Sequence, residues 1–298
     1  MIRPETIPVW PFGVDMSETE ICDSGMHSRH PISGAAFELL KKVDGKKSVE
    51  RISDEVSAEC GWDSREVLGD FMELLASLNQ NYLVNIKTPL KPDLIVKDSI
   101  IAVLYFFKTL QGVRWEKKKR THIPAGAPVL KTLLLFLTAV VSVFGHFAAG
   151  FGLLVTAASF VLPFLTVYDG AVTAAAFLIS FTLHEFGHYA VFQKKTGSLY
   201  RIFIAARRGG IQIVRPLADP KTEWLTSLAG PGIPFLTAVL TAAVFVLTPV
   251  LPFSTAVLII AVNLVHLISL LPFAEDGKRM IQAWKTGRKL ISVKEEKA

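Results

Sequence analysis

The sequence predicts an α-helical polytopic membrane protein that carries a small N-terminal α+β, winged-helix-like domain. Three observations lead there. Hydrophobic residues make up 51% of the 298 positions, and they crowd into the stretch after Pro128, while the first 125 residues have an ordinary soluble composition. Past Val129 the apolar runs reach about 20 residues or more, the length a helix needs to cross a hydrocarbon core. The net charge is +6, but the basic residues flank the apolar runs instead of forming a stripe on a soluble fold. That is a pattern of membrane topology and not of nucleic-acid binding.

The N-terminal domain is expected over residues 1–88. Residues 7–33 hold short strand-like runs, "IPVWPFGVDM" and "EICDSGMH", broken by Pro, Gly and Asp. From Ser33 the period becomes helical: Ala36, Phe37, Leu39, Leu40 and Val43 share a face, and Asp44-Gly45 ends the run. A second helix opens on Ser48, with Val49, Ile52 and Val56 at helical spacing. A third, residues 64–80, turns Val67, Leu68, Phe71, Leu74, Leu75 and Leu78 to the core, and "YLVNI" returns to strand character. Cys22 and Cys60, the two cysteines, lack metal-type spacing, so no disulfide framework is expected and a reducing compartment is the simpler reading. The N-terminus has no apolar run or small-residue cleavage site of a signal peptide, and none is expected.

On periodicity alone, a plain winged-helix-like bundle without a ligand fits this domain. The text "HPISGAAFELLKKVDGKKSVERISDEV" followed by "VLGDFMELLASLNQNYLV" resembles the PqqD-like domains, which recognise the leader segment of ribosomally made, modified peptides. The resemblance covers about residues 10–86. It implies that a leader peptide binds there by adding a strand to an exposed sheet edge.

Residues 89–128 read as a connector. Its apolar run "IIAVLYFF" (100–107) is too short to span and predicts an interfacial or packed helix, and the basic run "RWEKKKRTHIPAGAP" beside the first long apolar segment predicts a cytoplasmic position.

The membrane domain is expected over 129–298, with apolar segments at about 129–167, 171–193, 226–249 and 254–273. The first is too long for one ordinary span and carries Gly145, Gly150 and Gly152, which fits either a tight two-span hairpin or one kinked element. Charge parity favours a single crossing plus a partial or interfacial piece. The loop from Lys194 to Lys221 has seven Lys/Arg against one Asp, and the tail after Gly277 is also basic. If both are cytoplasmic, the chain crosses an odd number of times before His184.

Within the second segment stands "SFTLHEFGHYAVF". His184 and His188 are four residues apart, so a helix presents both imidazoles on one face, as a tetrahedral zinc site requires. Glu185 stands beside them, where a carboxylate can take a proton from water activated by the metal. The plainer reading is a polar patch that packs on a neighbour or lines a wet cavity. Charged groups such as Asp at membrane depth cost about 2.5–3.5 kcal/mol even on the insertion scale, so three polar groups within five positions need partners.

Two histidines leave zinc short of a protein ligand. "HLISLLPFAEDGKRM" offers Asp276, preceded by the helix breaker Pro272 and followed by Gly277, which permits close backbone approach. Alone, Asp276 reads as a turn residue. Together, "LHEFGHYAVFQKKTG", "SLAGPGIPFLTA" and "LLPFAEDG" resemble, in order, the zinc helix, the Gly-Pro element and the third-ligand motif of the site-2 protease family of intramembrane zinc metalloproteases, over about residues 171–280.

The resemblance implies a site-2-protease-like helical core in which His184, His188 and Asp276 ligate Zn2+, Glu185 is the general base, and Gly230 and Pro231 border the cleft. "RIFIAARRGGIQIV" is similar to the family's β-hairpin near the active site, where a substrate strand is held extended. The chain departs from the family at Ser269, where Asn is common, at Pro234, and in a Pro272-to-Asp276 spacing one residue short, which leaves Glu275 as a weaker alternative ligand. Asn263 and His266, at i and i+3 in the last segment, either line the cleft or make interhelical hydrogen bonds. The latter is the plainer role, and His146 receives the same plain reading.

The expected function is therefore an intramembrane zinc endopeptidase acting on a membrane-associated or leader-bearing ribosomal peptide, in the plasma membrane of a prokaryote, with the N-terminal domain and active site toward the cytoplasm. Its partners are a peptide or membrane-protein substrate and the bilayer, not nucleic acid. Two other readings stay open: a signalling protease that cleaves a membrane-bound regulator, and a non-catalytic membrane-anchored peptide-binding or immunity module.

Overall fold

The structure, a computed structural model, describes residues 2–89, 91–94, 96–97, 100, 118–124, 126–197, 202–207, 210–248 and 250–295. The chain forms two compact units. One is Met1–Pro124 with Arg201–Arg215, and the other is Ala125–Tyr200 with Pro216–Ala298.

The first unit opens with four short strands, β1 (Ile7–Val9), β2 (Val14–Met16), β3 (Glu20–Asp23) and β4 (Ser28–Pro31). Three helices follow, α1 (Gly34–Leu40), α2 (Val49–Cys60) and α3 (Ser64–Gln80), and then β5 (Asn85–Lys87). The local chemistry explains the boundaries. Ser33, Ser48 and Asp63 stand in extended backbone and accept from the free amides of Ala36, Arg51, and Arg65 and Glu66. Gly61 ends α2 in the left-handed region at φ 71°, a conformation that glycine adopts without a Cβ penalty. The helical faces read from spacing are the buried ones: Leu40, Val49, Ile52, Phe71 and Leu75 are fully enclosed, with Leu68 and Leu74 packed at the margin. Strands β2, β3 and β4 form an antiparallel meander, and β1 pairs with β5.

A third sheet completes this unit. Strand β6 (Lys118–His122) pairs antiparallel with β7 (Phe203–Arg207), which pairs with β8 (Gly210–Val214). The hairpin read as an appendage of the membrane domain therefore groups with the N-terminal residues. Arg120 of β6 explains part of this. Its guanidinium is buried, grips Asp23 of β3 through both nitrogens at 2.5 and 3.0 Å, and lies 4.1 Å from the Phe203 ring. A Cβ at Gly25 would meet Arg120 Nη2 at 2.5 Å, so glycine leaves that arginine its room. Asn85 joins β5 to β6, accepting from the Arg120 amide and donating to the Arg120 carbonyl. The connector's apolar run lies outside the described residues from 101 on, as do residues 114–117 of the basic run.

The second unit holds α4 (Val129–Ser159), α5 (Val167–Thr196), α6 (Pro220–Leu247), α7 (Phe253–Leu264) with a 3-10 extension over Val265–Leu270, and α8 (Glu275–Glu295). Among the described residues four helices are long and apolar enough to cross a membrane: Val129–Ser159, Val167–Thr196, Pro220–Leu247 and Phe253–Leu270. Leu153, Leu154, Leu236, Leu240 and Leu247 are each well over half exposed, which suits a lipid-facing surface and not water. The unit has the composition and dimensions of a helical membrane protein.

Residues 129–159 form one helix that runs through all three glycines, so the two-span hairpin does not describe it. Gly152 instead serves packing. A Cβ there would meet the Gly170 carbonyl at 2.7 Å and Ala174 Cβ at 3.1 Å, and a Cβ at Gly170 would collide with Thr156. Small residues let α4 and α5 approach backbone to backbone. Helix α5 begins before its apolar run because Thr166 and Asp169 cap it reciprocally.

Candidate metal centre

Helix α5 carries His184 and His188 one turn apart, and both face the start of α8. The Nε2 atoms of the two rings are 3.2 Å apart. Asp276 spans them, with Oδ2 3.3 Å from His184 Nε2 and Oδ1 3.3 Å from His188 Nε2. Ligand atoms of these three residues lie within 4.8 Å of one another and can hold a metal ion. Glu275, the alternative ligand, stays outside this group: it is exposed and pairs with Arg279 at 3.2 Å.

The break that delivers Asp276 follows from sequence. Leu271, the residue before Pro272, is extended at ψ 149°, as steric conflict with the proline ring favours, and the 3-10 turn ends there. Asp276 then falls in the first turn of α8. Gly277 is buried, and a Cβ there would strike the Leu271 carbonyl, so glycine permits this packing.

The donor set fits a divalent cation. His188 Nδ1 donates to the Thr226 carbonyl at 2.7 Å, so in the neutral imidazole the lone pair sits on Nε2. That lone pair faces a carboxylate oxygen and a second imidazole nitrogen. Such acceptors converge only around a proton or a cation. With ligand bonds of about 2.0–2.1 Å, the edges of a zinc tetrahedron are about 3.3 Å, the separation found here. Space for His188 comes from Gly230 of α6, where a Cβ would collide with His188 Nε2 itself; Gly187 likewise lies against the Ala229 carbonyl. Pro231 and Pro234 both lie inside α6 and are buried.

Glu185 is half-buried on α5, and its electrostatic neighbours are His184, His188, Asp276 and Arg279. Burial opposes ionisation of Asp276, but hydrogen bonds with His184 and His188 and their charges outweigh it, holding the carboxyl well below the usual carboxylate range.

Of the two residues placed at the cleft or between helices, His266 makes the interhelical bond: its Nε2 lies 2.6 Å from Ser180 Oγ. Asn263 is buried but donates within its own helix, to the Ile259 carbonyl at 2.9 Å. His146 packs beside Phe147 on α4 and takes no part in the cluster. Two features escape sequence reasoning. One is the Thr226 carbonyl, which has no side-chain signature. The other is Asp169, fully buried and accepting from Ser254 Oγ at 2.8 Å, Thr255 Oγ1 at 2.5 Å and the Thr166 amide at 2.7 Å. A carboxylate at the start of an apolar helix signals a cap, but nothing in the sequence names its partners on α7.

Comparisons of the chain with protein-family models, with curated proteins and with solved structures give no match.

Proposed function

We propose that the chain is an intramembrane zinc endopeptidase of site-2-protease type that hydrolyses a peptide bond in a membrane-associated or leader-bearing ribosomal peptide. The observation that carries the reading is the convergence of His184, His188 and Asp276 within 4.8 Å, with Glu185 next to the first ligand on the same helix.

His184, His188 and Asp276 would hold the zinc, which when bound would supply a Lewis acid for a peptide carbonyl and for water. Glu185 is the group that takes the water's proton and later delivers it to the leaving amine. The Thr226 carbonyl fixes the tautomer of His188 so that Nε2 is the ligand atom. A substrate reaches this site with its backbone unwound, because a transmembrane helix hides its carbonyls in internal hydrogen bonds.

Four crossings by the long helices would put residues before 129, the basic loop after α5 and the basic tail on one side of the membrane, and the charge pattern makes that side cytoplasmic. The first unit would then recruit the leader segment of the substrate, through residues 10–86.

The test is co-expression of the chain with leader-bearing precursor peptides and, in parallel, with single-span membrane proteins, reading cleavage by mass spectrometry. Glu185→Gln should keep the metal and stop cleavage. Cleavage that persists in Glu185→Gln overturns the assignment, and cleavage of single-span proteins alone would make the chain a signalling protease.

A further inference from the structure

Helices α5 and α7 run parallel and are joined by two polar rungs. Asp169 on α5 accepts from Ser254 and Thr255 on α7, residues 85 and 86 positions later. Ser180 on α5 meets His266 in the 3-10 extension of α7, again 86 positions later. From Asp169 to Ser180 and from Thr255 to His266 the chain advances by the same number of residues. That is about three helical turns, so both rungs lie on one face of each helix. The second rung stands one turn before His184.

The two ligating histidines differ in how they are held. His188 is oriented by the hydrogen bond from Nδ1 to the Thr226 carbonyl. His184 Nδ1 is buried, and among the described residues no acceptor bonds it to set that ring. What meets His184 instead is the ring of His266, at 4.8 Å between centroids and inclined by 32°. His266 is itself buried, tethered through Nε2 to Ser180, and braced edge-on by Phe181 at 4.6 Å and 71°.

We propose that His266, held by Ser180, is a positioning residue of the metal centre that fixes the plane of His184 by ring packing, the part that the Thr226 carbonyl plays for His188. This rests on the reading that His184, His188 and Asp276 bind a metal ion. His266 is no ligand in this account: it lies outside the group of three. Its ring acts through His184, and Ser180 acts through His266. The rung at Asp169 aligns the two helices so that the Ser180–His266 rung meets in register.

The test uses the full chain in detergent, stripped with chelator and titrated with Co2+, reading the dissociation constant and the visible d–d bands, with the melting temperature of each metal-free protein measured beside them. Outer partners of metal ligands are typically worth about 10–100-fold in affinity. His266→Ala should therefore bind Co2+ at least about tenfold more weakly with shifted bands, while His266→Phe, which keeps a flat ring, recovers most of both. Ser180→Ala should shift the bands while leaving the metal-free melting temperature close to that of the wild type. Wild-type affinity and bands in His266→Ala overturn the proposal. So does equal weakening in the Ala and Phe variants together with a lowered metal-free melting temperature, which marks a merely structural role. A wild-type protein that gives no Co2+ bands refutes the metal centre beneath it, an outcome that no variant is needed to recognise.

Discussion

The Nδ1 of His188 lies 2.7 Å from the carbonyl oxygen of Thr226, a hydrogen bond that ties α5 to α6 beside the close approach of Gly187 to Ala229. The approach exists because Gly230, one turn beyond Thr226, leaves open the volume that His188 Nε2 occupies. Gly230→Ala should thus act as a ligand mutation without touching a ligand. Its Cβ displaces His188, and metal affinity should fall by about 100-fold or more, the upper end for altered surroundings of a ligand. Isothermal titration of the metal-free protein with Zn2+ checks this; an unchanged affinity would contradict it.

Asp276 and Glu275 are adjacent acids with opposite fates, one bridging the imidazoles and the other exposed beside Arg279. Asp276→Ala should abolish metal retention, whereas Glu275→Ala should leave it unaltered within error. Metal analysis of both purified variants decides between the two registers that the shortened spacing after Pro272 leaves open.

How much of this was legible beforehand depends on the distance over which each feature is made. The two histidines and Glu185 declare themselves at helical spacing, and the faces of α2 and α3 follow from periodicity. Span ends were less legible: α5 starts at Val167 because Asp169 caps it through the Thr166 amide, and two of the three donors that satisfy the buried Asp169, Ser254 and Thr255, lie far along the chain. The placement of the 203–214 hairpin with the N-terminal residues rests on pairing with β6 and on Arg120 reaching Asp23, partners 97 residues apart. No local pattern encodes such a match. The glycines of α4 did not tell a hairpin from a continuous helix, because a glycine that thins a helix for close packing looks, in sequence, like one that interrupts it.

The Asp23–Arg120 pair is buried on both sides, so losing one partner strands a charge. Arg120→Ala should destabilise the first unit by about 3–5 kcal/mol. Replacing both residues with apolar ones should recover much of that loss. Hydrogen exchange over residues 1–124 measures it, and a cost no larger than that of an exposed pair, about 0–1 kcal/mol, would refute the role of this contact in uniting the sheets.

Asp169 is the other buried acid. Asp169→Ala removes the acceptor for two hydroxyls and one amide, and a stranded buried donor costs about 1–3 kcal/mol. The variant should melt earlier in detergent, and Asp169→Asn, which keeps an acceptor oxygen, should melt in between. Equal melting of all three proteins would contradict the rung.

Asp219 caps α6 by accepting from the Lys221 and Thr222 amides, each at 3.1 Å. The bonds from Thr222, with that from Lys221, hold its carboxyl below the usual range. A carboxyl lowered by folding stabilises fully above its unfolded value near pH 3.9 and loses that contribution as pH falls through the folded value. Asp219→Ala should cost about 1 kcal/mol at neutral pH, and the gap to wild type should close below about pH 3.9. Melting curves against pH would show it, and a gap independent of pH would contradict the assignment.

Metal content is the direct test of a zinc centre built by His184, His188 and Asp276. Zinc per chain is measured by mass spectrometry in detergent-purified wild type, His184→Ala and Asp276→Ala. About one zinc in the wild type, lost in both variants, is what a three-ligand catalytic site predicts. A wild type without zinc, or variants that retain it, would contradict the account.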